Sequence, residues 1–300
     1  MKTTAILITL AIVAGLCPAV WAEDAATPEQ KLIATHADSI VSIKYVQKTQ
    51  IPMMGADEES SGEARGILLS KDGLVLTSSS PFEGGLMGQV MRVMGQEIEV
   101  KTSVSDLKIL FGTEEKEYEA QLVAKDSNLG LAFLKIRKLD DRELKPLDFS
   151  QSTTVGVGDD IRTLGRMPRG FDCAPMVVRA YVKAAVERPR EMWALNLDGG
   201  DLLGMPAFNK AGTLVGFLSL QKGAEGAETE SGGMMGMLGA AQNLGAFLIP
   251  AQALKPLVAA AIKAAKELQA RAAEEAAEEE EDQEEGDEEE DEGSLDGEEE

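Results

Sequence analysis

Cysteine is close to absent from this 300-residue chain, which has two and only one, Cys173, beyond the N-terminal segment. A single thiol cannot close an internal disulfide, so a stapled scaffold is excluded and stability must come from a packed core, which the length permits. Cys173 lies in a Gly/Pro-flanked segment without a histidine nearby, so it does not read as a catalytic thiol. Histidine is scarcer still, with His36 alone, before the first strand, where it reads as a surface or helix-end residue. Basic residues are outnumbered, 29 against 52 acidic, and the formal charge of −23 repels phosphate backbones, so nucleic acid is excluded as the expected partner. No apolar run after the N-terminal segment is long enough to cross a bilayer, so no transmembrane segment is expected in the mature chain.

The acidic surplus is concentrated at one end. Residues 274–300 hold 19 Asp or Glu and no Lys or Arg, which leaves 33 acidic against 29 basic residues elsewhere, a net of −4. This stretch reads as a disordered anionic tail, suited to diffuse contact with a cationic protein or calcium and equally to plain solubilisation. At the other end, residues 1–22 carry Lys2, an apolar run from Ala5 to Ile12 continued by Ala14 and Leu16, and then Val20-Trp21-Ala22. That pattern reads as an export signal cleaved near Ala22, which implies a secreted or periplasmic protein.

Between these ends the chain is rich in short strand-like runs. Ser39 to Val46, Ala64 to Ser70, Leu74 to Ser78, Asp106 to Phe111, Tyr118 to Ala124 and Leu131 to Ile136 form a first group. Asp160 to Leu164, Val177 to Ala184, Met192 to Leu197, Thr213 to Leu220 and Ala246 to Ile249 form a second. The Asp72-Gly73 pair between two of them is a hairpin signal. Strands at this spacing, with Gly-rich turns and no alternating helices, predict an all-β protein of two barrels. The expected organisation is an N-terminal segment over 23–37 with a short helix from Pro28 to Ala37, a first barrel over 38–137, a linker over 138–154 and a second barrel over 155–250. A helix over 251–273, with Leu254, Leu257, Val258, Ile262 and Leu268 as its apolar stripe, precedes the acidic tail and should lean on the last barrel. Pro81 to Ser105 and Gln221 to Leu244 read as long loops rich in methionine, a flexible filler more than a soft-metal site, and no cofactor is expected.

Four segments carry a family resemblance. Gly66-Ile-Leu-Leu-Ser-Lys-Asp-Gly-Leu-Val-Leu-Thr77, Lys125 to Ile136, Gly204 to Gly216 and Phe247-Leu-Ile-Pro250 stand in the order found in trypsin-like serine proteases of the HtrA/Deg type, which the chain resembles from Asp38 to Leu257. The resemblance implies a two-barrel trypsin/chymotrypsin-like fold. It also implies that the catalytic histidine, aspartate and nucleophile fall on Ser80, Gly130 and Leu203, and an oxyanion-hole position on Asp201. None of these side chains does the family's work. A serine attacks an amide only when a positioned base takes its proton and a carboxylate orients that base, whereas Leu203 has no hydroxyl, Gly130 no carboxylate, and Ser80 is no base at neutral pH. An aspartate at 201 disfavours a developing oxyanion by like-charge repulsion, and Leu202 with Leu203 is expected to pack between the barrels.

The expected function is accordingly a non-catalytic binding or scaffold module, a pseudoprotease. The segment that shapes the specificity pocket in the family is here Gly165-Arg166-Met167-Pro168-Arg169-Gly170. It can present an edge to an extended peptide or a protein partner, with Arg166 and Arg169 either holding an anionic end or standing as solvent-facing loop charges. Active relatives often carry a PDZ domain after the barrels, where this sequence has a helix and a polyanion. The competing readings are an active serine endopeptidase with a rearranged catalytic set, using for example Lys135 or Lys210 as base, and a scaffold subunit that pairs with an active homologue.

Overall fold

The computed structural model describes residues 26–51, 56–83, 101–197, 202–222 and 244–292. The segment read as an export signal, Cys17 within it, therefore lies outside the described residues, as do Asp201 and most of both methionine-rich stretches.

Twelve strands close into two antiparallel barrels. The first is built from β1 (Ile40–Ile51), β2 (Ala56–Leu68), β3 (Leu74–Ser78), β4 (Lys101–Phe111), β5 (Glu117–Asp126) and β6 (Leu131–Ile136). The second is built from β7 (Asp160–Arg166), β8 (Pro175–Val186), β9 (Met192–Leu195), β10 (Pro206–Asn209), β11 (Leu214–Lys222) and β12 (Leu244–Pro250). The strand neighbours run β1-β2-β3-β6-β5-β4 and β10-β11-β12-β9-β8-β7 around the two barrels. The ends of the stretches read as loops belong to strands: residues 101–105 extend β4, and 221–222 and 244 extend β11 and β12. β10 was not legible in the sequence, being four residues long and opening on a proline.

Strand alternation explains how the barrels are joined. Successive side chains of a strand face opposite ways, and several strands here are buried on both faces. Along β3, Val75 fills the first barrel while Leu74 and Leu76 face a cluster shared by both barrels. Along β11, Val215 and Leu218 fill the second barrel while Leu214 and Phe217 join the shared cluster. Leu147 and Phe149 of the inter-barrel segment add to that cluster, and Leu147 N–H donates to the Leu68 carbonyl, so this segment docks into the junction despite its polar composition.

Two helices cover the junction. α1 (Pro28–His36) starts with a capping box in which the Thr27 hydroxyl accepts from Gln30 N–H while the Gln30 side chain accepts from Thr27 N–H. It inserts Leu32 into the shared cluster. α2 (Ala251–Glu292) buries Leu254, Val258, Ala261 and Ala265, with Leu257 and Ile262 at the edge of the stripe. It packs against β5 as well as β11 and β12, so it leans on both barrels and not on the last one alone. Its backbone continues beyond residue 273 to Glu292 through alanine and glutamate, both strong helix formers. Among the described helices none is long and apolar enough to cross a membrane.

Candidate functional site

The three positions that the family resemblance singles out lie on turns between strands. Ser80 opens a 3-10 turn, Ser80–Glu83, directly after β3. Its N–H donates to Ser78 Oγ at 3.2 Å, and its neighbour Ser79 donates through Oγ to Glu83 Oε1 at 2.9 Å in a buried pair. Ser79 N–H donates to the Gly130 carbonyl at 2.9 Å, which brings the first two positions side by side.

Gly130 sits in the β5–β6 turn at φ +64°, where a side chain is strained. The second barrel fills the space in which that side chain would stand. A Cβ there would overlap Ser219 Oγ and lie 2.7 Å from the Leu220 carbonyl oxygen. Ser219 is fully buried on β11, and its hydroxyl faces two carbonyl oxygens, Leu129 at 2.6 Å and Gly130 at 3.0 Å. Gln221 adds a bond from Nε2 to the Leu129 carbonyl at 2.8 Å. The Ser219 hydroxyl beside Gly130 is thus committed as a donor to backbone oxygen, and among the described residues its hydrogen-bond partners include no base.

Leu203 is half-buried in the turn before β10. Leu202 is buried in one cluster with Ile161, Val182, Trp193 and Leu248, inside the second barrel and not between the barrels as expected, because that barrel's apolar interior takes it up. Gly204 follows at φ +84° with its N–H donated to the Leu218 carbonyl at 3.0 Å. A Cβ at Gly204 would overlap the Arg65 carbonyl oxygen and lie 3.1 Å from its carbon, so glycine is required by the close approach of β2. That same Arg65 oxygen accepts from Thr77 Oγ1 at 2.7 Å.

The lone histidine and the two lysines named as candidate bases are placed elsewhere. His36 ends α1 and stacks on Phe208, with ring centroids 4.9 Å apart, and burial pushes its pKa below the usual histidine range. Lys135 is buried and bound to Asp72, through the backbone carbonyl and through the carboxylate at 3.2 Å. Lys210 is exposed on the β10–β11 turn.

The segment from Gly165 to Gly170 is anchored more firmly than its composition suggests. Arg166 is buried, contrary to its reading as a solvent-facing loop charge or a ligand clamp. Its guanidinium donates to three backbone carbonyls, from Nε to Ile40 at 2.8 Å, from Nη2 to Ala37 at 2.7 Å and from Nη1 to Cys173 at 3.1 Å. No local pattern signals this, since the first two acceptors lie more than a hundred residues upstream. The Arg166 carbonyl in turn accepts from Arg65 Nε at 2.7 Å. Gly165 is covered by the Met205 side chain.

Met167 is half-buried and Arg169 exposed, and Arg169 reaches the first barrel. Its Nη1 donates to Glu117 Oε1 at 3.0 Å, and its N–H to Glu63 Oε2 at 3.2 Å. Glu117 also binds Lys44 and Lys108, and these partners, Lys44 foremost, hold its carboxyl at about 2. Phe171 at the tip of the segment is 64% exposed, a large apolar side chain offered to solvent. Sequence reasoning missed it because single exposed aromatics carry no pattern.

This geometry invites comparison with proteins of known structure. No curated protein matches the chain. Among solved structures it is similar to a variant of the HtrA-type protease AlgW with a decapeptide, at 17% identity and a TM-score of 0.51, over 78% of this chain and 66% of that one. The chain thus spans about two thirds of that relative's length. It is also similar to Deg5, at 18% identity and a TM-score of 0.43, over 63% of this chain and 82% of that one. The trypsin-like peptidase domain matches residues 64–217, a stretch that runs from β2 to β11 and contains Ser80, Gly130 and Leu203, and the chain belongs to that family.

Proposed function

We propose that this protein is an exported member of the family that has lost peptidase activity and works by binding an extended peptide or a protein partner. The observation that carries the reading is the packing at Gly130. The position where the family keeps its carboxylate has positive φ, and the volume of a side chain there is taken by Ser219 and the Leu220 carbonyl. In this reading the carboxylate that orients the base is missing, serine takes the place of the base and leucine that of the nucleophile, so these three positions can neither take a proton nor attack a carbonyl.

The binding surface in this reading is the loop after β7, with Met167, Arg169 and the exposed Phe171. Its backbone is held by Arg166, so it offers a preformed surface whose ordering cost is low. The similar AlgW variant was solved with a decapeptide, and the present reading extends a peptide occupant to this chain. The C-terminal acidic stretch would add diffuse attraction for cationic partners or calcium.

The test uses the purified protein with casein and with a set of extended peptides. No hydrolysis is expected, and Leu203→Ser alone is expected to give none either. Peptide binding read by fluorescence anisotropy should weaken on Phe171→Ala combined with Arg169→Ala. Hydrolysis by the natural protein that disappears on replacing one defined serine would overturn the reading in favour of an active endopeptidase.

A further inference from the structure

A second cleft is built from elements that carry none of Ser80, Gly130 and Leu203. α1, β7 and the β10–β11 turn enclose a cleft of about 380 Å³ lined by Lys31, His36, Arg162, Lys210 and Gly212 among others. Arg162 forms its floor and is 3% exposed. Its Nε donates to Glu29 Oε1 at 2.8 Å, yet its Nη1 is buried with no hydrogen-bond partner among the described residues. Buried donors on a charged group are nearly always satisfied in folded proteins, and one that is not points to a missing acceptor.

The charges around this donor agree with that. Glu29 is shared by two guanidinium groups, Arg162 at 2.8 Å and Arg179 at 3.3 Å, so one carboxylate faces two cations. Lys31 and Lys210 line the same cleft, and among the described residues neither has an acidic group within ion-pair distance. His36 adds an imidazole at the wall, fixed by its stack on Phe208. A cleft with this surplus of positive charge and a desolvated N–H attracts an anion, and a planar guanidinium with lysines around it suits the several oxygens of a phosphate or carboxylate group.

We propose that this cleft binds a small oxyanion, a phosphate or carboxylate group, which accepts from Arg162 Nη1 at its floor and is held by Lys31 and Lys210 at its mouth.

The experiment measures the melting temperature of the full chain against increasing inorganic phosphate, and separately succinate, at ionic strength held constant with sodium chloride. A saturable rise with phosphate, or with succinate, is expected, and comparing the two identifies the phosphoryl or the carboxylate source. Lys31→Ala with Lys210→Ala should weaken the apparent affinity by about tenfold or more, while Lys263→Ala on α2 should leave it unchanged. Both lysines are exposed, so these variants are expected to fold, and Lys210→Gln alone provides a milder second test. The proposal is overturned if neither oxyanion raises the melting temperature beyond the chloride control, or if the double variant responds as the unmodified protein does.

Discussion

Arg166 Nε donates to the Ile40 carbonyl at 2.8 Å, joining the last residue of β7 in the second barrel to the first residue of β1 in the first. The same guanidinium binds Ala37 and Cys173, so one side chain secures the N-terminal turn, the start of the first barrel and the loop after β7. Desolvation disfavours the charged form and pushes the pKa of this arginine down, but three carbonyl acceptors keep it in place.

Arg166→Met is therefore expected to destabilise the protein by about 3 kcal/mol, because three buried carbonyls lose charged donors. Lysine should not rescue it, since an ammonium lacks the planar fork that reaches acceptors in different directions. Urea denaturation of the two variants measures this, and equal stability of Arg166→Lys and the natural protein would contradict it.

Gly130→Ala is expected to cost about 2 kcal/mol, from positive φ and from overlap with Ser219. Gly130→Asp should cost at least as much and restore no hydrolysis, even beside Ser80→His and Leu203→Ser. Reading stability and peptide turnover on the same samples separates a failure to fold from a failure to catalyse.

Glu117 supplies a pH dependence with a definite sign. Its carboxyl is held at about 2 in the folded protein, below the ordinary 4.5, chiefly by the Lys44 ammonium, with Arg169 and Lys108 assisting. A depressed pKa contributes stability above the unfolded value, and that contribution is lost as the pH falls from about 4.5 towards 2. Glu117→Gln should flatten the loss of stability over that window and leave the loop after β7 less protected in hydrogen exchange, since Arg169 loses its partner. An unchanged acid profile would show that the cluster contributes nothing.

Truncation after Arg271 should change stability by less than about 1 kcal/mol, because the described buried residues of α2 end at Ala265 and little apolar area is removed. A melting temperature that falls by many degrees would mean that the acidic part of the chain docks on the barrels.

Much of this protein can be read from short-range pattern. Alternating apolar residues and the Asp72-Gly73 turn locate eleven of the twelve strands, and their spacing already implies two barrels. The identities at 80, 130 and 203, a serine, a glycine and a leucine, are likewise plain in the sequence. What tertiary structure alone decided is where the long-range partners meet. Arg166 looked like a loop charge until β1 supplied its acceptors, Gly130 looked merely empty until β11 filled its space, and Arg162 was one strand residue until α1 closed a cleft over it. Periodicity reports which face a side chain takes within its own strand, and the group waiting on that face is fixed only when segments a hundred residues apart pack together.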